Sequence, residues 1–137
     1  MIFPKLFRPG KVGKLTAKNR LIMPAMHTNL GDREDGLSNA GIDFYIARAR
    51  GGFGQIGVGI IDSFQFDHAS PGEFLLENNR HVSVHARLVK QLKAEGALSF
   101  AQIGLRRIWS LHHMRQKPNL SEFRDEEIRT WIQAVVD

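Results

Sequence analysis

The side chains of this chain that are able to do chemistry fall into a few clusters. Asn19-Arg20-Leu21-Ile22-Met23-Pro24-Ala25-Met26-His27-Thr28-Asn29 runs from an apolar, strand-like stretch into a proline, a methionine, an imidazole and a hydroxyl, as a strand end that meets a ligand does. His81 and His85 stand four residues apart, the spacing at which two imidazoles on one helix face can hold zinc. His112 and His113 lie among Arg106, Arg107, Arg115 and Lys117, a set able to contact phosphate or nucleic acid. Asp125, Glu126 and Glu127 bring three carboxylates together.

Most of these clusters have plainer readings. Val82-Ser83-Val84 between the two histidines contains no glutamate and no third ligand is evident, so a solvated helix face is favoured and no metal is expected. The basic loop has only Trp109 as an aromatic neighbour, which favours a hydrated loop over a nucleic-acid surface. Three adjacent acids suit the positive end of a helix dipole better than a catalytic acid pair. The glycines from Gly51 to Gly59 precede and lie within an expected strand, so close packing explains them better than a dinucleotide fingerprint. By pattern alone Met26 is a core plug and Gln102 an ordinary polar strand end.

At 137 residues the chain can form one domain with a buried core, and its 42% apolar residues exceed what a disordered chain carries. It has no cysteine, which removes disulfides and thiol chemistry and makes the cytoplasm the expected location. Pro4, Lys5, Arg8 and Pro9 interrupt the amino terminus before the apolar stretch of a signal peptide can form, and no segment approaches the roughly 20 apolar residues of a membrane span. The net charge of +5 is interleaved with acids along the whole length, so neither a membrane nor a nucleic acid is expected as partner.

The elements that must position these groups follow from periodicity. Residues 6–18 suit a small hairpin or loop, and Arg20 to Met23 a strand. Ser38 can cap a helix whose Ile42, Tyr45, Ile46 and Ala49 share one face, with Gly51 and Gly52 taking the left-handed backbone at its end. Gly54 to Ile61 fits a strand covered on both sides, and Asp62 to Arg80 a long loop. A second helix from His81 carries Val84, Leu88 and Leu92 and stops at Gly96; Ala97 to Ile103 is a third strand, and Ile128, Trp131, Ile132 and Val135 mark a last helix. The order βαβαβα predicts a parallel α/β sheet, either doubly wound or part of an eight-fold barrel, with ligands at the carboxyl ends of the strands in both.

Leu6-Phe7 with Pro9, Gly13, Leu15, Asn19-Arg20 followed by Leu-Ile-Met-Pro-Ala-Met, Tyr45 with Arg48, Ala49, Gly51, Gly52 and Gly54, and Gln102 with Gly104 occur in an order that resembles the amino-terminal part of the old yellow enzyme family. The similarity is greatest to its NADH:flavin oxidoreductase and 2,4-dienoyl-CoA reductase-like branch. It implies the first three βα units of a (β/α)8 TIM barrel that carries FMN, with NADH or NADPH as electron donor and a small electron-poor acceptor. It implies cofactor contacts from Pro24, Ala25, Met26 and His27 at the first strand end, Gly59 and Ile60 at the second, and Gln102 at the third. His27 stands where the family often has threonine or cysteine.

The sequence departs from that family in three respects. Pro24-Ala25 reverses the usual order before the methionine, and the histidine expected after Gln102 is absent from Gly104-Leu105-Arg106-Arg107-Ile108. Eight βα units need roughly 250 residues, so residues 1–137 are expected to be a truncated, amino-terminal part of the domain. The family's substrate-binding pair, proton donor and phosphate loops belong to later strands, which leaves no catalytic residue in this chain. Two outcomes are expected: an oxidoreductase segment that needs a complementing chain, or a non-catalytic remnant that oligomerises through open strand edges. A weaker third is a basic phosphate-binding module built on residues 106–117.

Overall fold

The computed structural model describes residues 3–62, 72–104 and 126. The basic loop from Arg106 to Lys117, Asp125, Glu127 and the last helix expected over 128–135 lie outside the described residues. Strands β1 (Gly10–Val12) and β2 (Leu15–Ala17) form the expected hairpin, with Gly10 opposite Ala17 and Val12 opposite Leu15.

A parallel sheet follows, centred on β4 (Gln55–Asp62). One edge of β4 holds β3 (Ile22–Met23) beside Gln55 and Ile56 and, further along, β5 (Phe74–Leu75) beside Ile61 and Asp62. The other edge holds β6 (Leu98–Gly104), in register from Gln55 opposite Leu98 to Asp62 opposite Gly104, with a shift between Val58 and Ile61. β3, β5 and β6 are each parallel to β4; α1 (Asn39–Arg50) returns the chain between β3 and β4, and α2 (Asn79–Ala94) between β5 and β6.

The four α1 residues expected on one face, Ile42, Tyr45, Ile46 and Ala49, are all buried, together with Ile56, Val58 and Ile61 of β4 and Leu88 and Leu92 of α2. Tyr45 is fully buried, and its ring meets Phe44 and Phe74 edge-on at 5.3 and 6.0 Å. Because side chains alternate along a strand, placing Ile56 and Val58 against the helices turns Gln55 and Gly57 to the opposite face of the sheet.

The amino-terminal ends of the strands are fastened by polar groups. The Asn19 amide donates to the Gly52 carbonyl at 2.7 Å while its oxygen accepts the Leu21 N–H at 3.0 Å, joining the start of β3 to the α1–β4 turn. Lys18 donates to the carbonyls of Ala49 and Glu95 at 3.3 and 2.8 Å, placing one cation at the negative ends of both helices. Ser38 caps α1, accepting from the Gly41 N–H and donating to the Leu30 carbonyl. At the other end of α1 only Gly52 is left-handed, at φ 106; Gly51, expected to share that role, is right-handed at φ −67.

Two local readings of the sequence are corrected. The segment read as a long loop contains β5, and α2 begins at Asn79, where Asn78 accepts the His81 N–H at 3.0 Å as a cap. His81 is not on a solvated face: it is 1% exposed, its Nδ1 accepts the Glu77 N–H at 3.1 Å, and Gly36 lies against its ring. His85 Nε2 donates to the Leu75 carbonyl at 3.0 Å, so both imidazoles fasten β5 and the 31–36 turn to α2. Among the described residues no helix is long and apolar enough to cross a membrane.

Two expected outcomes follow from this architecture. Replacing Asn19 with alanine removes both bonds of a buried amide and lowers stability by about 1–3 kcal/mol in urea denaturation. Burial holds the His85 imidazole below its ordinary 6.5, against the opposing effect of its bond to Leu75. A depressed histidine favours its neutral form in the folded state, so its contribution is complete above about pH 6.5 and is lost as pH falls through the folded value. A His85→Gln chain is expected to show a flatter decline in melting temperature from about pH 7 to about pH 5; an unaltered decline would assign it to other groups.

Candidate functional site

β4 and β6 run side by side to their carboxyl ends at Asp62 and Gly104, while β3 stops at Met23 beside Ile56 and the chain after it continues along β4. Pro24, Ala25, Met26 and His27 form that continuation as irregular chain. Among the described residues Pro24 and His27 are exposed, Ala25 is half-buried and Met26 is 45% exposed. Thr28 follows with a buried hydroxyl oxygen that has no hydrogen-bond partner among the described residues.

Two glycines of β4 set how closely these ends approach. A Cβ added to Gly57 would lie 2.5 Å from the Ala25 nitrogen and 2.7 Å from Cζ of Phe100, so β4 has a notch where the β3 end and a β6 side chain meet. A Cβ on Gly59 would lie 2.6 Å from the Gln102 carbonyl oxygen and 3.3 Å from the Gln102 Cβ. Gly59 also has φ 136, which side-chain-bearing residues rarely adopt, and it stands within the register shift between Val58 and Ile61.

The expected site residues are therefore brought together in pairs, Ala25 beside Gly57 and Gln102 beside Gly59, with Ile60 next in the chain and half-buried. Gln102 is exposed. The Gly59 N–H points to the Tyr45 hydroxyl at 3.5 Å, which ties the middle of α1 to this strand end. Burial raises the Tyr45 hydroxyl above its ordinary 10.0, with the Gly59 contact opposing, so it is a neutral phenol at physiological pH. Gly57 and Phe100 were not singled out as site residues in the sequence; the signal that finds them is the register that places them opposite each other.

The arrangement suits a flat ring with polar edges. Gly57 and Gly59 let the neighbouring strands approach β4 closely, backbone groups are presented from Pro24 to His27, and Gln102 offers a donor and an acceptor on one side chain. These are the features that an isoalloxazine ring requires, so the residues present fit FMN. A phosphate site is not among the described residues, in keeping with its position after the last strands of such barrels.

The described sheet has known counterparts. The structure of a 2-naphthoyl-CoA reductase in complex with 2-naphthoyl-CoA superposes with a TM-score of 0.68 at 28% identity, over 74% of this chain and 16% of that one. The old yellow enzyme from Trypanosoma cruzi superposes with a TM-score of 0.66 at 22% identity, over 75% of this chain and 27% of that one, a likeness of fold. These matches make the sheet part of a (β/α)8 barrel. An NADH oxidase from Thermoanaerobacter brockii is 35% identical over 105 residues, 74% of this chain and 16% of its own length. A metal reductase from Desulforamulus reducens is 38% identical over 99 residues, 72% of this chain and 14% of its own length. The chain thus spans under a fifth of the length of either relative. The profile described as the NADH:flavin oxidoreductase / NADH oxidase family matches residues 5–121, and the chain belongs to that family.

Proposed function

We propose that residues 1–137 are the amino-terminal part of an FMN-dependent NAD(P)H oxidoreductase and form one wall of its flavin site. The observation that carries this reading is the close approach of the β3 exit and of β6 to β4 at Gly57 and Gly59, where a side chain on either glycine would collide with Ala25 or Gln102. When bound, FMN supplies the redox chemistry, accepting hydride from NADH or NADPH and passing it to an electron-poor acceptor. Relatives named as an NADH oxidase and as reductases support that class of chemistry.

Each residue of this chain then has a separate task. Gln102 pairs its amide and its oxygen with the pyrimidine edge, where donors and acceptors alternate. Backbone groups from Pro24 to Met26 would line the ring, and Gly59 with Ile60 would let the second strand pass close to it. His27 would donate a hydrogen bond to the bound ring and so raise its reduction potential. The groups that bind substrate, donate a proton and hold the phosphate come from further βα units, on the same polypeptide or on a complementing chain.

A second reading rests on a different observation. Among the described residues the outer edges of β3 and β6 have no strand partner, and Ile22 and Phe100 are 50% and 46% exposed. A chain with two open edges can pair with further copies of itself and act as a non-catalytic remnant. The two readings separate in one experiment: titration of the purified chain with FMN, followed by flavin fluorescence, alongside sedimentation velocity. The oxidoreductase reading predicts saturable binding weakened about 3- to 10-fold by Gln102→Ala, the loss of one to two hydrogen bonds. Stable oligomers with no flavin uptake would favour the remnant. With flavin bound, His27→Ala is expected to lower its midpoint potential in a dye-coupled titration, and an unchanged potential would remove the role given to His27.

A further inference from the structure

Tyr45 is fully buried in the middle of α1, and the residues around it belong to this chain: Phe44 and Phe74 meet its ring edge-on, and it shares one buried cluster with Ile46, Ile56 and Val58. Its burial therefore does not depend on further βα units. A phenylalanine would fill such a site without bringing a polar oxygen into the core, where an oxygen is costly unless it is hydrogen-bonded. The Tyr45 hydroxyl meets the Gly59 N–H at 3.5 Å.

Gly59 stands where the strand pairing of β4 lapses. On one edge β3 reaches only to Ile56 and β5 begins at Ile61. On the other edge Val58 pairs with Ala101 and Ile61 with Ile103, so the register passes over Gly59 and Ile60. Gly59 is nevertheless buried, and a buried backbone N–H needs an acceptor. The helix layer supplies one through Tyr45. Gly59 also lies against β6, where a Cβ on it would come 2.6 Å from the Gln102 carbonyl oxygen and 3.3 Å from the Gln102 Cβ. The Tyr45 hydroxyl, Gly59 and Gln102 are thus joined in one line of contacts, from the core to the strand ends.

We infer that Tyr45 is a positioning residue for the cofactor: its hydroxyl holds Gly59 in place and, through Gly59, sets where the Gln102 side chain stands against the bound ring. This rests on the flavin reading above and adds to it a residue of the core. The bond is long, so its loss is expected to shift the site and not to dismantle it.

The test measures FMN affinity by flavin fluorescence for the full chain, for Tyr45→Phe, for Gln102→Ala, for the two combined, and for Asn19→Ala. Tyr45→Phe keeps the ring in the core and removes only the hydroxyl, and binding is expected to weaken about 2- to 5-fold. Because Tyr45 acts through Gln102, the double variant is expected to bind as Gln102→Ala alone does. Asn19→Ala loosens the amino-terminal ends of the strands and is expected to leave affinity unchanged, which separates positioning from stability. In the chain without FMN, Tyr45→Phe is expected to speed amide hydrogen exchange at Gly59 several-fold and to leave Ile56 unaltered. Unchanged affinity or unchanged Gly59 exchange in Tyr45→Phe, losses that multiply in the double variant, or an equal loss in Asn19→Ala overturns this inference and leaves the flavin reading standing. Absence of saturable FMN binding in the wild-type chain overturns both.

Discussion

The structure depends on the hydrogen bonding of β4 along both edges. β6 occupies one edge over almost the full length, and β3 and β5 divide the other, so every strand of the main sheet takes its position from this single element. An eight-residue strand covered this way cannot carry charged side chains at its centre, and Ile56-Gly57-Val58-Gly59-Ile60-Ile61 reads accordingly. Its helix-facing residues join α1 and α2 in one core, while on its other face two glycines admit the close approach of Ala25, Phe100 and Gln102. The same strand thus supplies a packed core on one side and close backbone approach on the other.

That division links stability to the candidate site. Asn19 and Lys18 fix the amino-terminal ends of the strands and the carboxyl ends of the helices, which leaves the opposite ends of the strands to be shaped by backbone approach. Tyr45 belongs to both regions, with its ring in the core and its hydroxyl at the Gly59 N–H. Polar groups that would be costly to bury elsewhere are satisfied at the first set of ends. At the second set, Gln102 and His27 remain exposed, where a ligand can use them.

Much of this was legible in the sequence wherever burial and period coincide. Ile42, Tyr45, Ile46 and Ala49 mark α1 because their shared face is buried, and the apolar run of β4 is too short for a helix. Phe74 and Leu75 gave no such signal: two residues show no period, and β5 exists because β4 offers it an edge and His85 and Gly36 hold it there. His81 and His85 looked solvated on a helix rich in Lys and Arg, yet that part of α2 lies against the 31–36 turn. The cap residue Asn78 was the available clue to where α2 begins. The strand-end residues of the candidate site came from family resemblance, whereas the notch at Gly57 and the ring of Phe100 needed the register between β4 and β6.

The central claim is that the ends of β3, β4 and β6 act together as one wall of a flavin site. Amide-resolved NMR of the isotope-labelled chain during addition of FMN addresses it directly. The account predicts concerted, saturable shifts at Ala25, Met26, Gly59 and Gln102, with Lys11, Val12 and Leu15 of the hairpin at the far ends of the strands unmoved. Shifts confined to the hairpin or to α2, or none at saturating FMN, would contradict it.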